Sequence, residues 1–304
     1  MEREGFEHVT RENPCQICGK FDWCARLSRY HLCMRIKSDK PAKKGGWLHP
    51  KDEDSLAAPI PSRPKRKSDE ELNAIWQPIA EAAAREGQGR LAELARQLGV
   101  SVVALAALGV GFCKLQGRTC WTFPERNSRG WIVGIQRRLV VSTDGRNKLF
   151  CKGGRRGLTY CDGWDRKPGS IWLVEGGSDV AAGITMGLCV IGRPSNTGGI
   201  SDLVELLANT KRRIVVCGEN DRKPPLYVKQ SNPDHNPKCR GCMLCWPGKA
   251  GAILTAIALT ESLHKAPSIV MPPHGCKDMR EFVARIPQKD IANYQKVMRG
   301  GSFA

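Results

Sequence analysis

Three apolar runs in the second half of the chain each lead to an acid. Ile171-Trp172-Leu173-Val174 runs into Glu175, Gly176, Gly177, Ser178 and Asp179. Arg213-Ile214-Val215-Val216-Cys217 runs into Gly218, Glu219, Asn220 and Asp221. The strand-like SIVMPP at 268–273 precedes HGCKD, which ends on Asp278. Short apolar runs bounded by Gly read as buried strands, and the small apolar stretch VAAGITMGL after Asp179 reads as a helix. Strands and helices in alternation imply an α/β fold with a parallel sheet, whose ligands gather where strands end and loops begin. Glu219 and Asp221 stand at alternate positions of an extended chain and so point the same way. Three carboxylate groups at three strand ends form an oxygen cage suited to Mg²⁺ or Mn²⁺. Taken singly, each acid is as well explained as a cap or turn residue; Asp179, in the first turn of its helix, is expected to cap it. As an ordered set they argue for metal.

Cysteines supply a second chemistry. The chain has 14. Cys15-Gln-Ile-Cys18-Gly is a knuckle that brings two thiolates together, and Cys24 and Cys33 complete a tetrahedral Zn²⁺ site, with His31 able to replace either. Further on, His235, Cys239, Cys242 and Cys245 have spacing compatible with another zinc site. An iron–sulfur centre would call for a fourth cysteine there, and a loop of free thiols is the plain alternative. Lys20, Arg26, Arg29, Arg35 and Lys37 surround the first cluster with Trp23 and Tyr30 among them, a mixture that suits single-stranded nucleic acid and equally a small module's surface.

The 304 residues divide by pattern into a zinc-binding module (1–50), a Pro- and charge-rich linker (51–68), a basic mixed α+β region (69–168) and an α/β region (169–304) with a Cys-rich insert at 224–248. Ser68 and Glu71 form a capping box ahead of a long helix. RLAELARQLGVSVVALAALGVG follows as two short helices; the second offers no polar side chain to base edges, so packing is expected rather than groove reading. CWTFPERNSRGWIVGIQRRLV reads as a β-hairpin, with a further strand pair after it. Net charge is +18 and the pI about 9.5. That excess calls for an anionic partner, nucleic acid first, and a metal between the acids would reconcile them with phosphate. No apolar run is long enough to span a bilayer and MEREGFEHVT is no signal segment, so a cytoplasmic protein with no membrane partner is expected.

The segments VEGGSDVAAG, VVCGENDRK and GCKDMREF together resemble the TOPRIM domain, most closely that of bacterial DnaG-type and phage primases. Glu175 matches the family's lone glutamate, Glu219 and Asp221 its paired acids, and Asp278 the aspartate of its late G-K-D segment. Glu219 departs from the pattern, which usually has Asp. The stretch from LARQLGVS through FPERNSRGWIVGIQRR to KGGRRGLTY resembles the basic subdomain that precedes TOPRIM in those primases, and a zinc-ribbon-like module ahead of it resembles their architecture. The insert departs: the family passes quickly to an A-G-x-x-A helix start, here Ala250-Gly251-Ala252. The resemblance implies primer synthesis on a single-stranded DNA template from nucleoside triphosphates, with Glu175, Glu219 and Asp221 catalytic, the same residues with Asp278 holding Mg²⁺ or Mn²⁺, and Arg126, Arg137, Arg138, Lys152, Arg155 and Arg156 binding nucleic acid or nucleotide. Lys148 lies in the same basic stretch. The Asn196-Thr197-Gly198-Gly199 loop falls near that site in the family and is a candidate phosphate cradle. With no Walker motif in the sequence, any helicase is a separate chain. Tyr30, Tyr160, Tyr227 and Tyr294 lie in no recognisable topoisomerase partner domain. A metal-dependent nuclease and a non-catalytic nucleic-acid-binding replication protein of a phage or other mobile element are the alternatives.

Overall fold

The computed structural model describes residues 7–43, 45–51, 66–143, 145–236 and 238–303. Most of the expected linker at 51–68 lies outside the described residues. The chain divides into two compact units, Met1–Arg66 and Lys67–Ala304.

The first unit is an antiparallel sheet of β1 (Glu7–His8), β2 (Ala25–Arg26), β3 (Tyr30–Cys33) and β4 (Trp47–Pro50), in that order. Its core is Val9, Cys15, Cys24 and Cys33, with Ile17, Cys18 and Met34 against them. A core made chiefly of thiols buries too little apolar surface to hold a fold by itself.

The second unit begins with α1 (Asp69–Gly87), α2 (Leu91–Leu98) and α3 (Val102–Ala107). The capping box opens α1: Ser68 Oγ accepts from the Glu71 N–H (3.2 Å) and Glu71 Oε2 accepts from the Ser68 N–H (2.6 Å). An antiparallel sheet follows, β5 (Gly111–Leu115), β6 (Arg118–Arg126), β7 (Ile132–Thr143) and β8 (Arg146–Phe150). α1 approaches β5 so closely that a Cβ at Gly111 would lie 2.3 Å from the carbonyl carbon of Ala83. The short helix pair serves packing, as its composition implies. Leu91, Leu94, Leu98, Ala104 and Leu105 are buried, and the Ser101 N–H donates to Thr185 Oγ1 (2.9 Å).

A four-stranded parallel sheet occupies the rest: β9 (Ile171–Glu175), α4 (Gly176–Thr185), β10 (Cys189–Arg193), α5 (Ile200–Leu207), β11 (Ile214–Cys217), α6 (Pro225–Ser231), α7 (Pro247–Leu263), β12 (Ser268–Val270), α8 (Met279–Arg285) and α9 (Ile291–Arg299). The strand order is β10-β9-β11-β12. β9, β10 and β11 read as near-continuous apolar runs because both their faces are covered. Trp172, Val174, Val215 and Cys217 pack with Val180, Met186, Met298 and Phe303 on one face. Ile171, Leu173 and Val216 pack with Leu203, Ala252 and Leu259 on the other. The first of these cores also takes in Phe112, Trp121 and Phe123 of the antiparallel sheet, and a bridge joins Thr159 to Gly192. Residues 69–168 therefore share a core with the region after them. Among the described residues no helix is long and apolar enough to cross a membrane.

Candidate active site

Asp179, Glu219 and Asp278 offer carboxylate oxygens that all lie within 4.8 Å of one another. Three elements bring them there. Asp179 sits one turn into α4, just past the end of β9. Glu219 lies in the loop after β11. Asp278 is the N-cap of α8 and accepts the Glu281 N–H (2.8 Å). The expected role of Asp179 as a cap of its own helix is corrected by the structure. The N-cap of α4 is Glu175, with no side-chain bond, and Asp179 Oδ1 instead accepts the N–H of Arg280 at the start of α8 (2.7 Å).

Asn220, between the paired acids, fastens their loop to the one that carries Asp278. Its N–H donates to the Lys277 carbonyl (2.7 Å), and its Nδ2 donates to the carbonyls of Pro272 (2.9 Å) and Cys276 (2.8 Å). The two acids that flank it differ in use. Glu219 joins the carboxylate group, with Lys277 Nζ 3.4 Å from its Oε2. Asp221 Oδ1 accepts the N–H of Gly248 in the first turn of α7 (2.8 Å). Glycine is required there, since a Cβ at 248 would lie 2.7 Å from Glu219 Cβ and 2.8 Å from Asp221 Oδ1.

Glu175 ends β9 beside Arg193 of β10. Its Oε2 is buried with no hydrogen-bond partner among the described residues. Burial, then the charge of Glu219, push its carboxyl up to about 7, against the pull of Arg193. Burial first, then Asp278 and Glu219, hold Asp179 well above the carboxylate range. Burial likewise raises Glu219, with Lys277 opposing and Asp278 and Asp221 adding to the rise. A set of acids that resist ionising together, with an orphaned buried oxygen beside them, fits a divalent cation.

Arg193 was not singled out by its sequence context. It is 1% exposed, and its guanidinium donates to the Asn196 carbonyl (2.6 Å), Thr255 Oγ1 (2.8 Å) and the Cys217 carbonyl (3.2 Å). It thereby fixes the Asn196–Gly199 loop against the sheet edge. Asp179 was legible as a site residue: Glu175 at a strand end and an acid four positions on, one helical turn away, fall on the same side.

The cysteine clusters have metal geometry. Cys15, Cys18, Cys24 and Cys33 present sulfurs within 4.8 Å of one another, with Cys18 and Cys24 3.7 Å apart. A tetrahedron with Zn–S near 2.3 Å has edges of about 3.8 Å. The Met34 and Ile36 N–H groups point at Cys24 and Cys33. His31, the alternative ligand, is buried on β3 outside the cluster. The second cluster is equally compact: His235 Nε2 to Cys242 Sγ is 3.3 Å, and Cys245 Sγ lies 3.6 Å from both Cys242 and Cys239. Four ligands this close enclose one ion; an iron–sulfur cluster would hold its sulfurs further apart.

No family model matches the sequence, and no curated protein matches it. Solved structures do. The DnaG catalytic core aligns over 74% of this chain and 79% of its own, at 15% identity and a TM-score of 0.51. The DnaG primase catalytic domain bound to single-stranded DNA aligns over 74% and 80%, at 14% identity and 0.50. The Aquifex aeolicus primase, comprising zinc-binding and RNA polymerase domains, aligns over 77% of this chain and 62% of its own, at 12% identity and 0.52. The chain has a primase-like fold.

On this primase-like fold the six basic residues expected to bind nucleic acid occupy different situations. Arg155 bridges Asp69 and Asp202, with its Nε 2.6 Å from Asp69 Oδ1 and its Nη1 2.8 Å from Asp202 Oδ2. Arg156 grips the buried Glu125 (2.7 Å) and the Pro194 carbonyl (2.6 Å). Arg137 is buried and donates to the Leu115 carbonyl. Arg126 donates to the Gly130 carbonyl. All four make hydrogen bonds within the protein. Arg138 and Lys152 are less committed: Arg138 is half-buried, its pKa lowered by burial and by Arg280, and the Lys152 side chain is exposed. Exposed Lys148 on β8 is near enough to pull down the pKa of Glu175 and Asp179.

Proposed function

We propose that this chain is a DNA primase-like nucleotidyltransferase whose parallel-sheet region is a TOPRIM domain. The observation that carries the reading is the convergence of Asp179, Glu219 and Asp278, with Glu175 and Asp221 beside them, at the carboxyl edge of the parallel sheet of a primase-like fold. Asp179, Glu219 and Asp278 would hold Mg²⁺ or Mn²⁺, which when bound would supply positive charge against a transferring phosphoryl group. The mixed region at 69–168 serves as the basic subdomain beside the site, and residues 1–50 as a Zn²⁺ module.

Each residue near the site has a distinct task. Glu175, its pKa near 7, takes the proton of the attacking 3′-hydroxyl on Oε2 as the new O–P bond forms and pyrophosphate leaves. Asp221 holds the first turn of α7 in place, and Asn220 keeps the two acidic loops in register. Arg138, Lys148 and Lys152 face single-stranded DNA template or nucleoside triphosphate as cations.

Incorporation of labelled nucleotides on single-stranded DNA with Mg²⁺ or Mn²⁺ tests this. Short labelled products from wild type, absent with Glu219→Gln and Asp221→Ala, are expected. Metal-dependent cleavage of the DNA without incorporation would make it a nuclease. Bound, uncut DNA with no product would make it a non-catalytic binding protein.

A further inference from the structure

The insert between Asp221 and α7 carries almost no core of its own. Among the described residues of 222–246, the buried side chains are Val228 and Cys245. Leu226, Tyr227 and Met243 are exposed. Burial cannot organise such a segment, yet His235, Cys239, Cys242 and Cys245 converge within it, and the Cys242 N–H points at Cys245 Sγ (3.3 Å). Three thiolates and an imidazole in this arrangement are a closed structural zinc set with no open position.

The same segment grips the paired acids. The Cys245 carbonyl accepts the Lys223 N–H (2.8 Å), closing the insert two residues after Asp221. The next residue, Trp246, donates its Nε1–H to the Glu219 carbonyl (2.8 Å). Gly248 donates its N–H to Asp221 Oδ1 (2.8 Å). The Trp246 ring is flanked by Arg222 and Lys249, whose charges lie 5.8 and 4.8 Å from its centroid. Three consecutive steps of chain therefore join a cysteine ligand to the backbone of one site acid and the side chain of the other.

We propose that His235, Cys239, Cys242 and Cys245 bind one zinc ion whose function is to position Glu219 and Asp221, so that divalent-cation binding at the carboxylate cluster depends on zinc in the insert. The coupling rests on the carboxylate cluster being a cation site, as proposed above; the zinc site does not. Without zinc the insert loses the centre on which its four ligands converge, Trp246 and Gly248 lose their fixed approach, and Glu219 is no longer held toward Asp179 and Asp278. Trp246 is a positioning residue in this scheme and touches no reacting atom.

The test combines metal counting with a cation-binding readout on the full chain. Zinc per chain is measured by mass spectrometry, and Mn²⁺ binding by electron paramagnetic resonance, with Glu219→Gln defining signal that belongs to the carboxylate cluster. Wild type is expected to hold two zinc ions. Cys239→Ser and Cys242→Ser are expected to hold one and to bind Mn²⁺ at least about tenfold more weakly, the scale of losing a supporting shell around a metal site. Trp246→Phe keeps every zinc ligand and removes one hydrogen bond; it is expected to hold two zinc ions and to bind Mn²⁺ about two- to tenfold more weakly. Undiminished zinc in the serine variants would overturn the zinc site. One zinc lost with Mn²⁺ affinity unchanged, or full Mn²⁺ affinity in Trp246→Phe, would overturn the positioning role. Wild type that binds no Mn²⁺ at the carboxylates would instead remove the cation site itself, and the coupling with it.

Discussion

The carboxylate of Asp179 on α4 accepts the N–H of Arg280 on α8, 101 residues further along the chain, at 2.7 Å. The next N–H of α8, that of Glu281, is taken by Asp278 (2.8 Å). Two neighbouring donors at one helix start thus hold two buried acids side by side. For Asp179, burial and the charges of Asp278 and Glu219 oppose the charged form, against the pull of the Arg280 N–H. The repulsion is what a cation would relieve.

Asp179→Asn separates the two roles of that side chain. The amide oxygen still accepts the Arg280 N–H, but the charge is gone. Cation affinity at the cluster is expected to fall at least about tenfold. Metal-free stability at pH 8 should hold or rise, because a buried charge has been removed. Titration calorimetry with Mn²⁺ and thermal unfolding in Mg²⁺-free buffer check both; unchanged affinity would remove Asp179 from the site.

The raised acids set a pH dependence with a definite sign. Glu175 titrates near 7 in the folded chain and near 4.3 when unfolded. The folded state therefore binds more protons between those values, and its stability falls as pH rises through that window. Asp179 and Glu219, also raised, act in the same direction. Asp69 and Glu71 are held low, so their contribution is lost only on acidification below the ordinary carboxylate range. In Mg²⁺-free buffer the melting temperature is expected to drop from pH 5 to pH 8. Mg²⁺ should recover the loss at pH 8 and do little at pH 5, and Glu175→Gln should shrink the drop. A wild-type profile identical to that of Glu175→Gln would show that Glu175 titrates normally.

Arg155 is expected to matter for stability. It ties Asp69 at the start of α1 to Asp202 on α5, and Asp202 is largely buried. Arg155→Ala leaves that carboxylate without its main partner. With the guanidinium itself about one-third exposed (35%), the cost should be about 2 kcal/mol. Denaturant unfolding measures it, and a loss under about 0.5 kcal/mol, the surface range, would contradict the bridging role.

Lys148 and Lys152 should behave oppositely. Both side chains are exposed, and among the described residues neither forms an ion pair. Replacing each with Ala is expected to leave unfolding unchanged within about 0.5 kcal/mol. Each should weaken single-stranded DNA binding and lower the slope of log affinity against log salt by about 0.7, the share of one phosphate contact on a single strand. Fluorescence anisotropy across a salt series reads this directly; an unaltered slope would exclude that lysine from the interface.

Much of this protein is written in local pattern. Continuous apolar runs ending on Gly and an acid marked β9 and β11, because a strand covered on both faces needs apolar residues at every position. Ser68 and Glu71 marked the start of α1, because the capping box is a contact between neighbours in sequence. The two cysteine clusters were legible because knuckle spacing is short and thiolates have few other uses. What the tertiary structure decided is how residues distant in sequence share their bonds. Asp179 looked like a cap for its own helix and caps another, because α8 packs across α4 and brings unsatisfied N–H groups to it. Arg137, Arg155 and Arg156, expected to contact nucleic acid, each also bond within the fold, because their partners Leu115, Asp69, Asp202 and Glu125 come from other elements. Glu219 and Asp221 looked equivalent; only the approach of α7, allowed by glycine at 248, turns one toward the acids and the other toward a helix. Residue type and spacing determine which chemistry is possible, while the three-dimensional pairing of donors with acceptors determines which side chains remain available for it.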